Sequence, residues 1–420
     1  MTGMLPSRTE VADVAGLVAG AATAAVLNFA YVVYVGRSLQ PGEYADFGAA
    51  LSVVFVVTLI IGPVAPSLSR VAATMVIRGE GSRVRSLRAS ALKWSGICLI
   101  PMIAAGLAVS PLFSRSFHFR SATTLMAAFS ASAFYLLLTA ERGLLQGLRR
   151  FAAHNVSTVM EALTRFAAAV VLIAFFRTAT AALVAYLLSI ITAEVLIAGN
   201  WRDRHADQEP APLADVFRFA APMFGLMIGA AAFQNADLLA AKRWLSPPSA
   251  GAYAAASALT RTIGVLFVPL YILAGPTIAS HQERGESIRW ATLRMVAYFV
   301  GLTAVPIILF ACFPKIIVTL LFGDQYAEAA LILGPLAGAM VIGYSGLLIA
   351  QTLVVSRRFL VVPCYLVLAA IQIGSFVVNH TSAMAIIREM YAVQGIALVT
   401  VLALFLMTER GDKQHAEPIP

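Results

Sequence analysis

Residues 45–69 read ADFGAALSVVFVVTLIIGPVAPSLS, and after Asp46 no charged side chain appears until Arg70. A helix rises about 1.5 Å per residue, so about 20 apolar residues cross the hydrocarbon core of a bilayer. This stretch is long enough to span. It is also too uniformly apolar for a barrel strand, which alternates over about ten residues. Inside lipid the backbone must satisfy its own hydrogen bonds, and a helix does so.

Eleven further runs of this kind lie at 11–35, 92–113, 122–141, 156–176, 179–199, 217–241, 250–280, 291–312, 327–352, 360–379 and 390–408. Twelve spans use about 240 positions, close to the 252 implied by 60% hydrophobic residues in 420. With 12% charged residues and a mean hydropathy of +0.83, a water-soluble enzyme is excluded. The composition therefore specifies an all-α polytopic membrane protein. Cys98, Cys312 and Cys364 lie singly inside apolar runs, with no spacing that suggests a disulfide or a metal site.

Loop arginines and lysines set the orientation. With the N-terminus inside, the inner segments hold 20 of them, including Arg70 to Lys93, Arg142, Arg149 and Arg150, while the outer segments hold 8. Both termini are expected in the cytoplasm. Most of the net charge of +9 then faces the anionic inner leaflet, so anionic lipids are the expected partners and nucleic acid need not be invoked. The 26 arginines against 4 lysines, with abundant alanine, point to a GC-rich bacterial genome and hence to the bacterial cytoplasmic membrane. The first run is too long for the apolar core of a signal peptide, and is expected to stay as a span.

The chain also resembles itself. At an offset of 206, Arg37, Leu39 and Pro41 fall on Arg243, Leu245 and Pro247, Pro63 on Pro269, Gly79-Glu80 on Gly285-Glu286, and Arg83, Leu87 and Arg88 on Arg289, Leu293 and Arg294. At 208, Arg149-Arg150-Phe151 meets Arg357-Arg358-Phe359. Six spans per copy is an even number, so the copies enter the membrane from the same side and are related by a parallel pseudo-twofold axis. The expected organisation is an N-terminal lobe at 1–199, a linker at 200–216, a C-terminal lobe at 217–408 and a tail at 409–420, with a substrate path between the lobes. The start of the seventh span, Leu213 to Phe219, could instead lie in the inner interface.

Ionisable groups at membrane depth are costly and mark function or pairing. Glu161 and Arg165 stand four apart on one helical face and read as a neutralised pair or as substrate contacts. In the first case Arg165→Ala would strand Glu161. Glu194 reads as interfacial. Asn28 and Gln234 occupy matching mid-span positions and offer amides either as interhelical glue or as ligand contacts. Asp237 and Arg261 have no opposite charge nearby on their own helices; they could pair with each other, or Asp237 could bind a proton or sodium ion. Charges present in one copy alone, such as Arg261 opposite Phe55 and Asp237 opposite Tyr31, suit a ligand that lacks twofold symmetry.

The segment Arg37-Ser-Leu-Gln-Pro-Gly-Glu-Tyr-Ala-Asp-Phe47 resembles the Arg-x-Leu-x-Pro-x-Glu-Tyr-Gly-x-aromatic pattern of Wzx-type polysaccharide flippases, with Ala45 in place of the usual glycine. That branch belongs to the superfamily of lipid II flippases and MATE exporters. Arg142-Gly-Leu-Leu-Gln-Gly-Leu-Arg-Arg-Phe151 and the Phe217 to Pro222 entry are similar to segments of the same branch. The resemblance implies a flippase that carries a polyprenyl-diphosphate-linked oligosaccharide to the outer leaflet by alternating access between the lobes, working with a glycan polymerase or glycosyltransferases of its pathway. Arg261 and Arg165 would then bind the diphosphate, Asn28, Gln234, Asn235, Tyr31 and Tyr253 would touch sugar or seal the cleft, and Asp237 and Glu161 would serve as coupling-ion or counter-ion groups.

Three rivals stand beside this reading. A MATE-type drug antiporter shares the fold but prefers an acidic cleft, and a major-facilitator carrier would show a Gly-x-x-x-Asp-Arg type motif within 70–93. A membrane glycosyltransferase or polymerase would carry a large outer loop or an acidic cluster, whereas the longest outer segment is about Phe313 to Tyr326 with Asp324 its single acid. With no Gly-rich phosphate loop, His/Cys cluster or nucleophile elbow in the sequence, neither an enzyme nor a cofactor is expected.

Overall fold

Every one of the twelve apolar runs contributes a membrane-length helix to the computed structural model, which describes residues 8–80, 83–199, 201, 213–283 and 288–414. The helices are α1 (Arg8–Ser38), α2 (Pro41–Ile61), α3 (Val64–Ile77), α4 (Arg83–Ser116), α5 (Ala122–Gly147), α6 (Phe151–Phe176), α7 (Ala179–Ala198), α8 (Leu213–Trp244), α9 (Pro247–Thr260), α10 (Thr262–Glu283), α11 (Ile288–Cys312), α12 (Pro314–Phe322), α13 (Ala329–Val355), α14 (Val361–Val378) and α15 (Ala383–Gln414). A 3-10 turn at Asp324–Tyr326 joins α12 to α13. The described residues contain no strand.

Local chemistry sets the ends of these helices. Ser121, Thr178 and Ser246 have extended backbones, and their side chains accept from the N–H groups of Thr123, Ala181 and Ser249 at the starts of α5, α7 and α9. Pro247 then opens α9, where its missing N–H costs nothing. Gly62-Pro63 separates α2 from α3 inside one long apolar run. Its counterpart in the second copy breaks at a different residue, Arg261, which joins α9 to α10.

The duplication read from sequence is visible in the backbone. Arg149 follows α5 with φ 57°, and Arg357 follows α13 with φ 60°. In the first copy Arg149 N–H bonds to the Gln146 carbonyl at 3.0 Å and Arg150 N–H to Leu145 at 2.9 Å. In the second, Arg357 bonds to Val354 at 3.0 Å and Arg358 to Leu353 at 2.8 Å. Both ends are Schellman caps with arginine where glycine is usual, which fixes the offset there at 208.

Packing divides the chain into two units, one of Met1–Glu43 and Ile61–Ala221, the other of Tyr44–Ile60 and Pro222–Pro420. The lobes expected from sequence were contiguous in the chain, whereas most of α2 groups with the second unit. In the first unit α4 packs on α5, α6 on α7 and α1, and α5 on α3 and α7. In the second, α13 is the centre, touching α9, α10, α11 and α15. Helices in lipid gain little from water exclusion and associate through close packing of small residues. Gly143 and Gly147 of α5 illustrate this, since a Cβ on them would lie 2.6 Å from the Ala65 carbonyl oxygen and 2.5 Å from that of Ser69 on α3. Large apolar side chains such as Phe175 (79% exposed) and Val378 (84%) face outward, as lipid-facing residues do.

At one end of the first unit, Leu68, Val71 and Met75 of α3, Val84 and Leu87 of α4 and Leu144 of α5 form a core that includes Val216 of α8, with Leu213 and Trp201 packed against it. Leu213 therefore begins a helix that seats on this core, and the connector starts at Trp201 as part of the packing. The linker charges between 202 and 212, and the Gly285-Glu286 half of the repeat, lie outside the described residues.

Candidate functional site

Each unit builds one arginine centre inside its helices. In the first, α6 carries Glu161 and Arg165, both buried, and the Arg165 guanidinium pairs with Glu161 one turn back. Its Nη1 donates to Asn28 Oδ1 of α1 at 2.6 Å and its Nε to Ser189 Oγ of α7 at 3.3 Å. The ring of Tyr186 lies under the guanidinium at 3.7 Å, a contact that suits a planar cation. Tyr31, three residues beyond Asn28, is buried and donates its hydroxyl to the Ala182 carbonyl at 2.9 Å.

A third member was missed. Arg142 had been counted with the inner loop, yet α5 continues through Gly147 and its side chain is 11% exposed. Its Nη1 meets Glu161 Oε2 at 2.8 Å and its Nη2 donates to Ser157 Oγ at 3.0 Å. One carboxylate thus faces two guanidiniums, and the centre keeps one formal positive charge. Arg165→Ala would leave Glu161 with Arg142, which corrects the expectation that it strands the carboxylate. The signal in sequence was one residue wide: position 142 lies immediately past the last residue of the run at 122–141.

In the second unit Arg261 occupies the break between α9 and α10 and is half-buried. Its Nη1 donates to Asn235 Oδ1 of α8 at 2.9 Å, its Nη2 to Ser52 Oγ of α2 at 3.1 Å and its Nε to Ser257 Oγ at 3.3 Å. Phe55, the residue at the matching position of the first copy, lies 5.0 Å from the guanidinium. All of these partners are neutral. Asp237, two residues past Asn235, turns elsewhere and accepts from the Tyr253 hydroxyl at 2.9 Å, while its Oδ1 is buried without a hydrogen-bond partner among the described residues. Arg261 and Asp237 therefore have separate hydrogen-bond partners, and their charges still act on each other through space. Gln234 is half-buried on the same helix and makes none of these contacts.

The structure thus brings Asn28, Glu161 and Arg165 together in one centre, Asn235 and Arg261 in another, and Asp237 with Tyr253. Sequence reasoning missed Ser52, Ser189 and Ser257, because small hydroxyls are ordinary inside membrane helices and carry no distinguishing pattern.

Other charged groups join helices. Lys242 of α8 and Asp46 of α2 pair at 2.5 Å. Glu43, from the segment that resembles the flippase pattern, accepts from the Ala179 N–H at 2.9 Å and so caps α7, where a carboxylate is favoured by the helix dipole. Its neighbour Tyr44 inserts among Phe47, Phe322 and Tyr326.

The polysaccharide biosynthesis protein family matches residues 11–282. The chain belongs to this family. A search of curated proteins returned no match. Among solved structures, an inward-facing multidrug resistance MATE family transporter of the MOP superfamily is similar, with 15% identity, coverage of 93% of this chain and 96% of that one, and a TM-score of 0.76. The lipid II flippase MurJ in an inward closed conformation has 10% identity over 92% and 89%, with a TM-score of 0.67. A MOP superfamily transporter from Pyrococcus furiosus, described as having a binding pocket of reverse polarity, has 14% identity over 94% and 95%, with a TM-score of 0.60. At these identities the likeness establishes the fold, so this member of the polysaccharide biosynthesis family is a multi-pass protein with the twelve-span fold of MATE transporters and MurJ.

Proposed function

We propose that this protein flips a polyprenyl-diphosphate-linked oligosaccharide from the inner to the outer leaflet for surface-glycan assembly. The observation that carries the reading is Arg261, a cation within the helices whose hydrogen bonds among the described residues all go to neutral oxygens. A guanidinium at membrane depth is costly, and one whose hydrogen bonds go to neutral groups, with Asp237 acting on it only through space, is suited to an anion that arrives with the substrate. Its planar donors match phosphate oxygens, while Asn235 and Ser52 hold the side chain in place until then. The surplus cation at the Arg142–Glu161–Arg165 centre favours the same class of ligand, and the family match supports glycan biosynthesis as its setting.

The test is translocation of a fluorescent lipid-diphosphate oligosaccharide by the protein in liposomes. Arg261→Ala is expected to lower the rate at least about tenfold, the loss of one charge-assisted contact, at near-normal protein level. Arg261→Lys is expected to retain part of the rate. Full activity of Arg261→Ala would overturn the reading. A second reading, cation-coupled drug export, is favoured by the buried Asp237 carboxylate and predicts that the protein confers resistance to cationic drugs and that Asp237→Asn abolishes it.

A further inference from the structure

The two copies of the repeat treat one groove differently. In the first unit Arg88 binds Glu141 through Nε at 2.8 Å, and the Trp201 ring lies 4.6 Å from its guanidinium and 5.2 Å from that of Arg150. Trp201 and Leu213 thereby pack, with Val216, against the core that includes Val71 and Met75 of α3 and Val84 of α4. At offset 206, Val71, Met75, Val84 and Arg88 become Thr277, His281, Trp290 and Arg294. These four residues line a cleft of about 260 Å³ between α10 and α11, floored by Leu270, Ala291 and Met295.

The position of that carboxylate is apolar in the second copy. The caps at Arg149 and Arg357 fix the offset in α5 and α13 at 208, so Glu141 corresponds to Ile349, which is buried. Arg294 is exposed and makes no ion pair or hydrogen bond among the described residues. Among the described residues, none from α15 lines the cleft. The cleft rim instead carries Trp290 (67% exposed) and Tyr298 (57%), amphipathic rings of the kind that settle at a membrane–water boundary. His281 has one ring nitrogen tied to the Thr277 carbonyl at 2.8 Å.

We propose that the α10–α11 cleft binds the phosphate-bearing headgroup of an anionic phospholipid, with Arg294 as its cation, the apolar floor against the acyl chains and Trp290 and Tyr298 at the level of the glycerol. The lipid takes the place that Trp201 and Glu141 fill together in the first unit. This site is separate from the arginine centres and does not depend on the identity of the transported substrate.

Native mass spectrometry of the full chain in detergent tests the assignment, with phosphatidylglycerol, phosphatidylethanolamine of the same acyl chains, or inorganic phosphate added. The wild-type chain should retain phosphatidylglycerol in preference to phosphatidylethanolamine. Arg294→Gln should reduce that preference about fivefold, the contribution of one basic residue at an anionic surface. Arg294→Lys should keep it, and Arg218→Gln, an exposed arginine on α8, should leave it unchanged. Unaltered preference in Arg294→Gln would overturn the proposal. So would displacement of the lipid by millimolar phosphate, which would indicate a free-anion site, or a several-fold gain in lipid binding when the chain is stopped after Gln414, which would make its C-terminal tail the natural occupant.

Discussion

Glu161 stands between two buried arginines, so the three members of that centre are not equivalent under substitution. Removing either arginine leaves one ion pair. Removing the carboxylate leaves two guanidiniums facing each other with neutral hydrogen-bond and ring partners, among them Asn28, Ser157, Ser189 and Tyr186, and no carboxylate bonded to either. Glu161→Gln is therefore expected to cost about 3 kcal/mol or more, read as lost membrane abundance and a lower unfolding temperature in detergent. Arg142→Gln and Arg165→Gln should each cost less. If Arg165→Gln proves the most damaging of the three, the shared-carboxylate arrangement is wrong. Half of this centre was legible beforehand, because a Glu and an Arg four apart in an apolar run announce themselves. Arg142 was not, because a positive charge at the edge of a span has the same sequence appearance whether it points to water or back into the bundle.

At the scale of elements, the segment Arg142 to Phe151 turns from a motif into a joint between helices. Gly143 and Gly147 let α5 meet the backbone of α3, with no room for a methyl group on either. Gly143→Ala or Gly147→Ala is expected to force α3 away and to lower the amount of folded protein in the membrane, with Gly143→Val worse than Gly143→Ala. Normal abundance of both alanine variants would refute the tight approach. The twelve spans and the repeat were readable in advance because hydropathy and loop motifs are local properties of the chain. Helix breaks were less so. Pro63 and Pro269 match in sequence, yet the second copy breaks at Arg261, where the side chain finds two partners across other helices and a third one turn back on α9.

At the scale of the whole molecule, the assignment of Tyr44–Ile60 to the second unit was invisible in a linear reading, which divides a duplicated chain at its linker. The consequence is testable by co-expression of fragments cut between residues 206 and 207. The second fragment alone lacks Asp46 for Lys242 and Ser52 for Arg261, and should accumulate only when the first is co-expressed; independent accumulation would contradict this grouping. Orientation is checked with a cytoplasmic reporter, which should give signal after Met407 and none at Gly42, as the distribution of loop arginines requires. The joint at Arg261 has a mechanical reading as well. A single side chain tethers the elbow between α9 and α10 to α8 through Asn235 and to α2 through Ser52. On the function proposed above, an anion that draws the guanidinium to itself loosens those tethers in the same act, which would make cargo capture and release of the elbow one event rather than two.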